Sequence, residues 1–123
     1  MKPGYTGLQR IVHAFRFSFQ GLVAGWRHES AFRQEAVVCA VAVPVGLLLG
    51  GTGVERALLV ASVLLVPLVE LLNSAIETVV DRVDEDAHPL SGRAKDIGSA
   101  AVLLSLVVAA VVWLCILVPH YAA

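Results

Sequence analysis

Three apolar stretches organise the chain, over 36–49, 57–69 and 97–118. A helix needs about 20 predominantly apolar residues to cross the hydrocarbon of a bilayer. The third stretch reaches that length unaided. The first does so by taking in Arg33 and Glu35, and the second by taking in Glu70 to Glu77. All three are read as transmembrane helices, over 31–50, 54–80 and 91–118, with a cytoplasmic loop at 81–90. Upstream, Leu8, Ile11, Val12, Phe15, Phe19, Leu22, Val23 and Trp26 recur at three- and four-residue steps. At about 100° per residue they share one face, opposed by Gln9, His13, Arg16, Gln20 and Arg27. Residues 5–27 are therefore expected to form an amphipathic helix. Basic side chains opposite Phe and Trp suit a helix lying in the headgroup plane, the alternative being a helix packed on a neighbouring subunit. Phe17 breaks the pattern, falling nearly opposite Leu8 and Phe15. The expected fold is an all-α integral membrane domain: one surface helix and three spans.

Composition agrees with this reading. The 123 residues are 58% hydrophobic and 15% charged, with a mean hydropathy of +0.80. A soluble domain of this size is less apolar and richer in charge. The first twenty residues carry Arg10, His13 and Arg16 where a signal peptide would be uninterruptedly apolar, so none is read here. Cys39 and Cys115 both fall within spans and read as small core hydrophobes, not as a disulfide or metal pair. The cations are unevenly placed. Lys2, Arg10, Arg16, Arg27 and Arg33 precede the first span, and Arg82, Arg93 and Lys95 lie between the second and third. Only Arg56 separates the first two spans, and no Lys or Arg follows the third. By the positive-inside rule the N-terminus and the 81–96 connection lie in the cytoplasm and the C-terminus outside.

The second span ends in an unusual stripe. Glu70, Asn73, Glu77 and Asp81 follow one another at steps of three, four and four residues. Glu70 and Glu77 are about 700° apart, roughly 20° short of two turns, so the four side chains share one face. A lone carboxylate facing lipid costs ~2.5–3.5 kcal/mol on insertion scales, so the stripe should face protein, an ion or water. Two readings stand. The stripe is either interhelical glue for an oligomer or a proton-transfer or metal site, where one carboxylate holds a hard cation and another accepts a proton. In DEDAHPLSGRAKD (84–96), Ser91 reads as the N-cap of the third span, with Arg93 and Lys95 in its first turn. Cations there oppose the helix dipole, a conflict that a bound anion such as phosphate would relieve. The alternative is the positive-inside signal with headgroup contact.

Gly50-Gly-Thr-Gly53 turns the chain between the first two spans. It lacks the Lys-Ser/Thr and the preceding strand of a phosphate-binding loop, and it falls on the outer side, so it is rejected as a nucleotide site. Pro44 and Pro67 lie inside spans and are expected to kink them. The cytoplasmic boundary thus holds acids suited to Mg²⁺ (Glu29, Glu77), cations suited to phosphate (Arg10, Arg93, Lys95) and a deeper acid suited to act as base (Glu70). That inventory fits phosphoryl transfer to a membrane-dissolved acceptor, which needs mostly positioning and charge neutralisation. Soluble-kinase signatures are absent. Three spans can hardly enclose both a nucleotide and a lipid, so an oligomer with sites at subunit interfaces is expected.

HESAFRQE (28–35), VELLNSAIETVVDR (69–82) and LSGRAKDIGSAAVLL (90–104) resemble the prokaryotic diacylglycerol kinase family. The resemblance spans nearly the whole chain, and the ELLNSAIE and GRAKDxGSAAV blocks are specific. It implies a homotrimer in the bacterial inner membrane that uses MgATP to phosphorylate the primary hydroxyl of diacylglycerol, with no nucleic-acid partner. Carried over by position, Glu70 matches the general base, with Asn73 orienting the site. Glu29 and Glu77 match the metal-bridging acids. Arg10, Phe17, Asp86, His88, Lys95 and Asp96, with Glu29 and Glu77, match nucleotide contacts. Ala31, Arg33, Glu35, Glu70, Ser99 and Trp113 match the lipid side. Phe17 stands where the family usually has Tyr, and Pro67 is unexpected so near the site. Undecaprenol is the rival acceptor, since relatives in the wider family phosphorylate it. A small transporter or proton-relay subunit is the rival class, but it leaves Arg93 and Lys95 without a role.

Overall fold

In the computed structural model four helices follow one another: α1 (Gly7–His28), α2 (Ser30–Leu49), α3 (Gly53–Val83) and α4 (Pro89–Tyr121). The structure describes residues 4, 6–83 and 88–122. The last three helices are each long and apolar enough to cross a membrane. The protein is an all-helical membrane protein.

The spans pack antiparallel in chain order, and small residues set the register. A Cβ placed on Gly46 of α2 would lie 3.1 Å from the Leu59 Cβ of α3 and 3.4 Å from Trp113 Cζ2 of α4. A Cβ on Gly98 of α4 would overlap the Asn73 amide oxygen of α3. Such close approach through glycine is how membrane helices gain van der Waals contact where no hydrophobic force draws them together. Trp113 Nε1 donates to the Leu59 carbonyl at 3.1 Å, and Tyr121 Oη donates to the Leu49 carbonyl at 2.7 Å. These bonds tie the C-terminal end of α4 to both other spans. The resemblance places Trp113 on the lipid side of the site. In the structure it is anchored here, some 15 residues and about 22 Å along α4 from the Gly98–Asn73 contact.

Each connection has a local cause. Thr52 Oγ1 accepts from the Glu55 amide at 3.1 Å, while Glu55 Oε1 accepts from the Gly51 amide at 2.7 Å. This is a T-x-x-E capping arrangement at the start of α3, and it gives the Gly50–Gly53 turn its role. α4 begins earlier than the sequence suggests. Pro89 occupies its first turn and His88 Nδ1 accepts from the Leu90 amide at 3.1 Å, so His88 is the N-cap and Ser91 is not. Proline has no amide hydrogen to leave unpaired there and its φ suits a helix start. Arg93 and Lys95 therefore fall beyond the first turn, and the dipole conflict expected of them is weaker.

Neither Pro44 nor Pro67 interrupts its helix. Pro67 lacks the amide that would bond the Val63 carbonyl one turn back. The Cys39 thiol of α2 donates to that carbonyl at 3.2 Å. Buried Cys39 is thus more than a small hydrophobe: it satisfies the group that Pro67 leaves open.

Candidate active site

α1 meets the N-terminal end of α2 and the C-terminal half of α3. Gly25 lets it close onto Leu71 of α3 and Phe32 of α2, since a Cβ there would lie 2.9 Å and 3.2 Å from their side chains. Arg33 reaches back from α2 and donates to the carbonyls of Trp26 and Arg27 at 2.8 and 3.2 Å. A guanidinium on the last carbonyls of a helix satisfies orphan acceptors and matches the dipole. Arg33, placed on the lipid side by the resemblance, therefore fastens the α1–α2 joint. Glu29 is the joint itself, the C-cap of α1 and the N-cap of α2. The apolar face of α1, with Leu8, Phe15, Phe19 and Trp26, is not covered by the rest of the chain.

Between α1 and α3 lies a groove of about 690 Å³ whose lining includes Gly21, Gly25, Glu29, Leu71, Ser74 and Thr78. Glu77 is one residue from Thr78, about 100° round α3, and is not part of that lining. The structure brings Glu29 to the groove and Glu77 to the adjoining face. Among the described residues no three His, Cys, Asp or Glu side chains gather as a metal-binding group.

The stripe divides by depth. Glu70 and Asn73 are each only 7% exposed, although both are polar and inside a span. Asn73 Nδ2 donates to Glu77 Oε1 at 3.2 Å. The Asn73 Oδ1 is buried against Gly98 with no hydrogen-bond partner. Asp81, at the end of the stripe, pairs with Lys95 Nζ at 2.6 Å. The pair is largely exposed, and exposed pairs of this kind contribute little to stability. The Lys95 ammonium is thus held beside the carboxylates at small cost in releasing it.

Other expected positions are spread along the same end. Arg10 is exposed on α1, and the Phe17 ring stacks near His13 at a centroid separation of 6.2 Å. Ala31, Asp96 and Ser99 are exposed, Ser99 immediately following the Gly98–Asn73 contact. Asp86 lies outside the described residues. What the sequence reading missed is the hydrogen bond of the Cys39 thiol and the buried hydroxyls. Ser62 and Ser105 donate to the Leu59 and Val102 carbonyls at 3.0 and 2.6 Å. Such back-bonding to the carbonyl three residues earlier is what keeps a serine tolerable inside an apolar helix. The spare serines within hydrophobic runs were the available signal.

A deep carboxylate, an amide, a shallower carboxylate and a tethered ammonium therefore succeed one another toward one membrane boundary. Residues 16–117 match the family model for prokaryotic diacylglycerol kinase. The chain belongs to that family. It is 50% identical over 121 residues to a diacylglycerol kinase of Escherichia coli strain K12, covering 98% of this chain and 99% of the relative. A diacylglycerol kinase of Pseudomonas aeruginosa is 51% identical over 114 residues, 93% of each chain. One of Helicobacter pylori is 36% identical over 111 residues, 90% of this chain and 87% of the relative.

Proposed function

We propose that the protein is an ATP-dependent lipid kinase that transfers the γ-phosphoryl group of ATP to the primary hydroxyl of diacylglycerol. The observation that carries this reading is the stripe on α3 in a chain of this family: Glu70 is buried within a span, and about one turn on Asn73 donates to Glu77 nearer the boundary. Glu70 accepts the proton of the lipid hydroxyl. The hydroxyl oxygen forms the new bond to the γ-phosphorus as the bond to the β-phosphate bridging oxygen breaks, giving phosphatidic acid and ADP. Lys95 leaves Asp81 for a phosphate oxygen, a trade that an exposed ion pair allows. Arg10, Phe17, His88 and Asp96 contribute nucleotide contacts, and Ala31 and Ser99 face the lipid acceptor.

The donor set suits magnesium. Mg²⁺ is commonly held by one or two carboxylates together with phosphate oxygens and water, so it does not require a three-carboxylate cage. Glu29 and Glu77 are hard oxygen donors of that kind, on neighbouring faces at the same end of the bundle. The ion would neutralise charge on the transferring phosphoryl group. The chain's own residues then have three tasks: Glu70 takes the proton, Asn73 orients Glu77, and the buried setting of Glu70 excludes water from the acceptor hydroxyl.

A homotrimer in the bacterial inner membrane, with the N-terminus cytoplasmic and the C-terminus periplasmic, completes the reading. The test is direct. Purified protein in mixed micelles receives γ-labelled ATP, Mg²⁺ and either diacylglycerol or undecaprenol. Labelled phosphatidic acid is expected. Label in polyprenyl phosphate alone would reassign the acceptor, and no labelled lipid from either would overturn the kinase. Glu70→Gln is expected to lose turnover by at least about 100-fold, as removal of a general base does, while still binding MgATP. Turnover near that of the unaltered protein would refute Glu70 as base.

A further inference from the structure

Gly98 of α4 has no side chain to offer the proposed chemistry, yet its backbone touches the stripe. It is buried, and Asn73 Oδ1 lies where any other residue would carry its Cβ. That oxygen is itself buried and has no hydrogen-bond partner. The Gly98 hydrogen that stands in place of the Cβ points at it. The oxygen is thus no farther than about 3.6 Å from Gly98 Cα, within reach of a Cα–H···O contact. On its other side the same amide donates from Nδ2 to Glu77 Oε1. A side-chain amide has an accepting end and a donating end. Turned end for end, Asn73 would set its N–H groups against a C–H donor and its oxygen against a carboxylate. Both neighbours therefore select the same orientation.

Two contacts index α4 to α3 at this end. The Lys95–Asp81 pair is exposed, and the proposed chemistry breaks it when Lys95 turns to a phosphate oxygen. The Gly98–Asn73 contact is buried and carries no formal charge, so nothing in the reaction competes for it. A buried polar atom without a conventional partner calls for a reason, and here the reason is orientation. We propose that Gly98 is a positioning residue for Glu77: its Cα–H holds the Asn73 oxygen, and the amide so oriented presents Nδ2 to the Glu77 carboxylate. One Glu77 oxygen is then taken by the amide and the other is left for a cation. The inference deepens the kinase reading and rests on it for what Glu77 does, not for how Glu77 is held. A Cβ at position 98 would push the amide round and release Glu77, although position 98 itself supplies no functional group.

The test reads the amide directly. Asn73 is the one asparagine in the chain, so protein made with asparagine labelled at its side-chain nitrogen gives a single amide signal in magnetic resonance spectra. In micelles its hydrogens are expected to exchange with water more slowly than those of free asparagine, and Glu77→Gln should move the signal. Gly98→Ala should move it as well and speed the exchange. Gly92→Ala, on the same helix where a Cβ meets nothing within 4 Å, should leave it in place. Free-asparagine behaviour in the unaltered protein, or an unmoved signal in Gly98→Ala, would overturn the inference. Gly98→Ala should also lower the melting temperature of the parent chain but not that of the Asn73→Ala chain, where the amide is gone. Failure to fold in both backgrounds would make position 98 a matter of helix packing alone and overturn the inference. In the mixed-micelle assay Gly98→Ala should raise the Mg²⁺ needed for half-maximal turnover by about three-fold or more, with the lipid KM within about two-fold. A fall in kcat at an unchanged Mg²⁺ requirement would count against it in the same way. The amide signal needs no turnover, so a protein that phosphorylates neither lipid would sink the kinase reading while the contact is still judged by its spectrum.

Discussion

Asn73 shows how much one buried side chain is asked to do. Its amide nitrogen holds Glu77, and its oxygen lies against Gly98, where a methyl group would overlap it. Position 98 is thus glycine for a steric reason next to the candidate site. Gly98→Ala must displace the Asn73 amide or push α4 away from α3. Overpacking of this kind costs about 1–3 kcal/mol. We expect a lower melting temperature in detergent and a fall in turnover, measured on the same preparation. A variant as stable and as active as the parent would show that the contact is looser than the structure has it. The spacing of Glu70, Asn73 and Glu77 was legible in the sequence because a helix fixes which residues share a face. Asn73's partner on α4 was not, since it depends on the register between two helices far apart in the chain.

At the level of elements, the second span tolerates a proline because the first supplies a donor. Pro67 removes the hydrogen bond to the Val63 carbonyl, and the Cys39 thiol replaces it. A carbonyl left unpaired in hydrocarbon is costly, whereas a net hydrogen bond contributes about 1 kcal/mol. Cys39→Ala should therefore destabilise the parent chain more than it destabilises the Pro67→Ala chain, where residue 67 regains its amide. A coupling energy of about 0.5–1 kcal/mol from the four unfolding measurements is expected. Additive effects would mean that the thiol does not serve the carbonyl. Sequence reasoning saw the bond that Pro67 removes, because intrahelical bonding alone was in view, and not the thiol on the neighbouring span that replaces it. It likewise set the start of the last helix at Ser91, whereas Pro89 and the His88 cap begin it sooner.

For the whole molecule, the spans alternate in direction and their outer faces stay apolar and uncovered, as a bilayer requires. Eight cations stand on the side assigned to the cytoplasm and Arg56 alone stands opposite. The C-terminus should therefore face outward. Alkaline phosphatase fused after Ala123 is expected to be active in cells, and a reporter that works only in the cytoplasm should be silent there. The reverse pattern would invert the chain and move Glu29, Glu77 and Lys95 away from cellular ATP.

The sequence by itself determined that four helices form, that three of them are long and apolar enough to span a membrane, and that one carries its acids along a single face. Those properties follow from local periodicity and from the cost of polar groups in hydrocarbon, and both can be read along one dimension. Only the tertiary structure decided what the polar groups meet: Asn73 against Gly98, Lys95 on Asp81, and Arg33 on the last carbonyls of α1. Each of those pairings depends on how neighbouring helices slide and turn against one another. Small residues such as Gly46 and Gly98 fix that register through contact distances that no single helix contains.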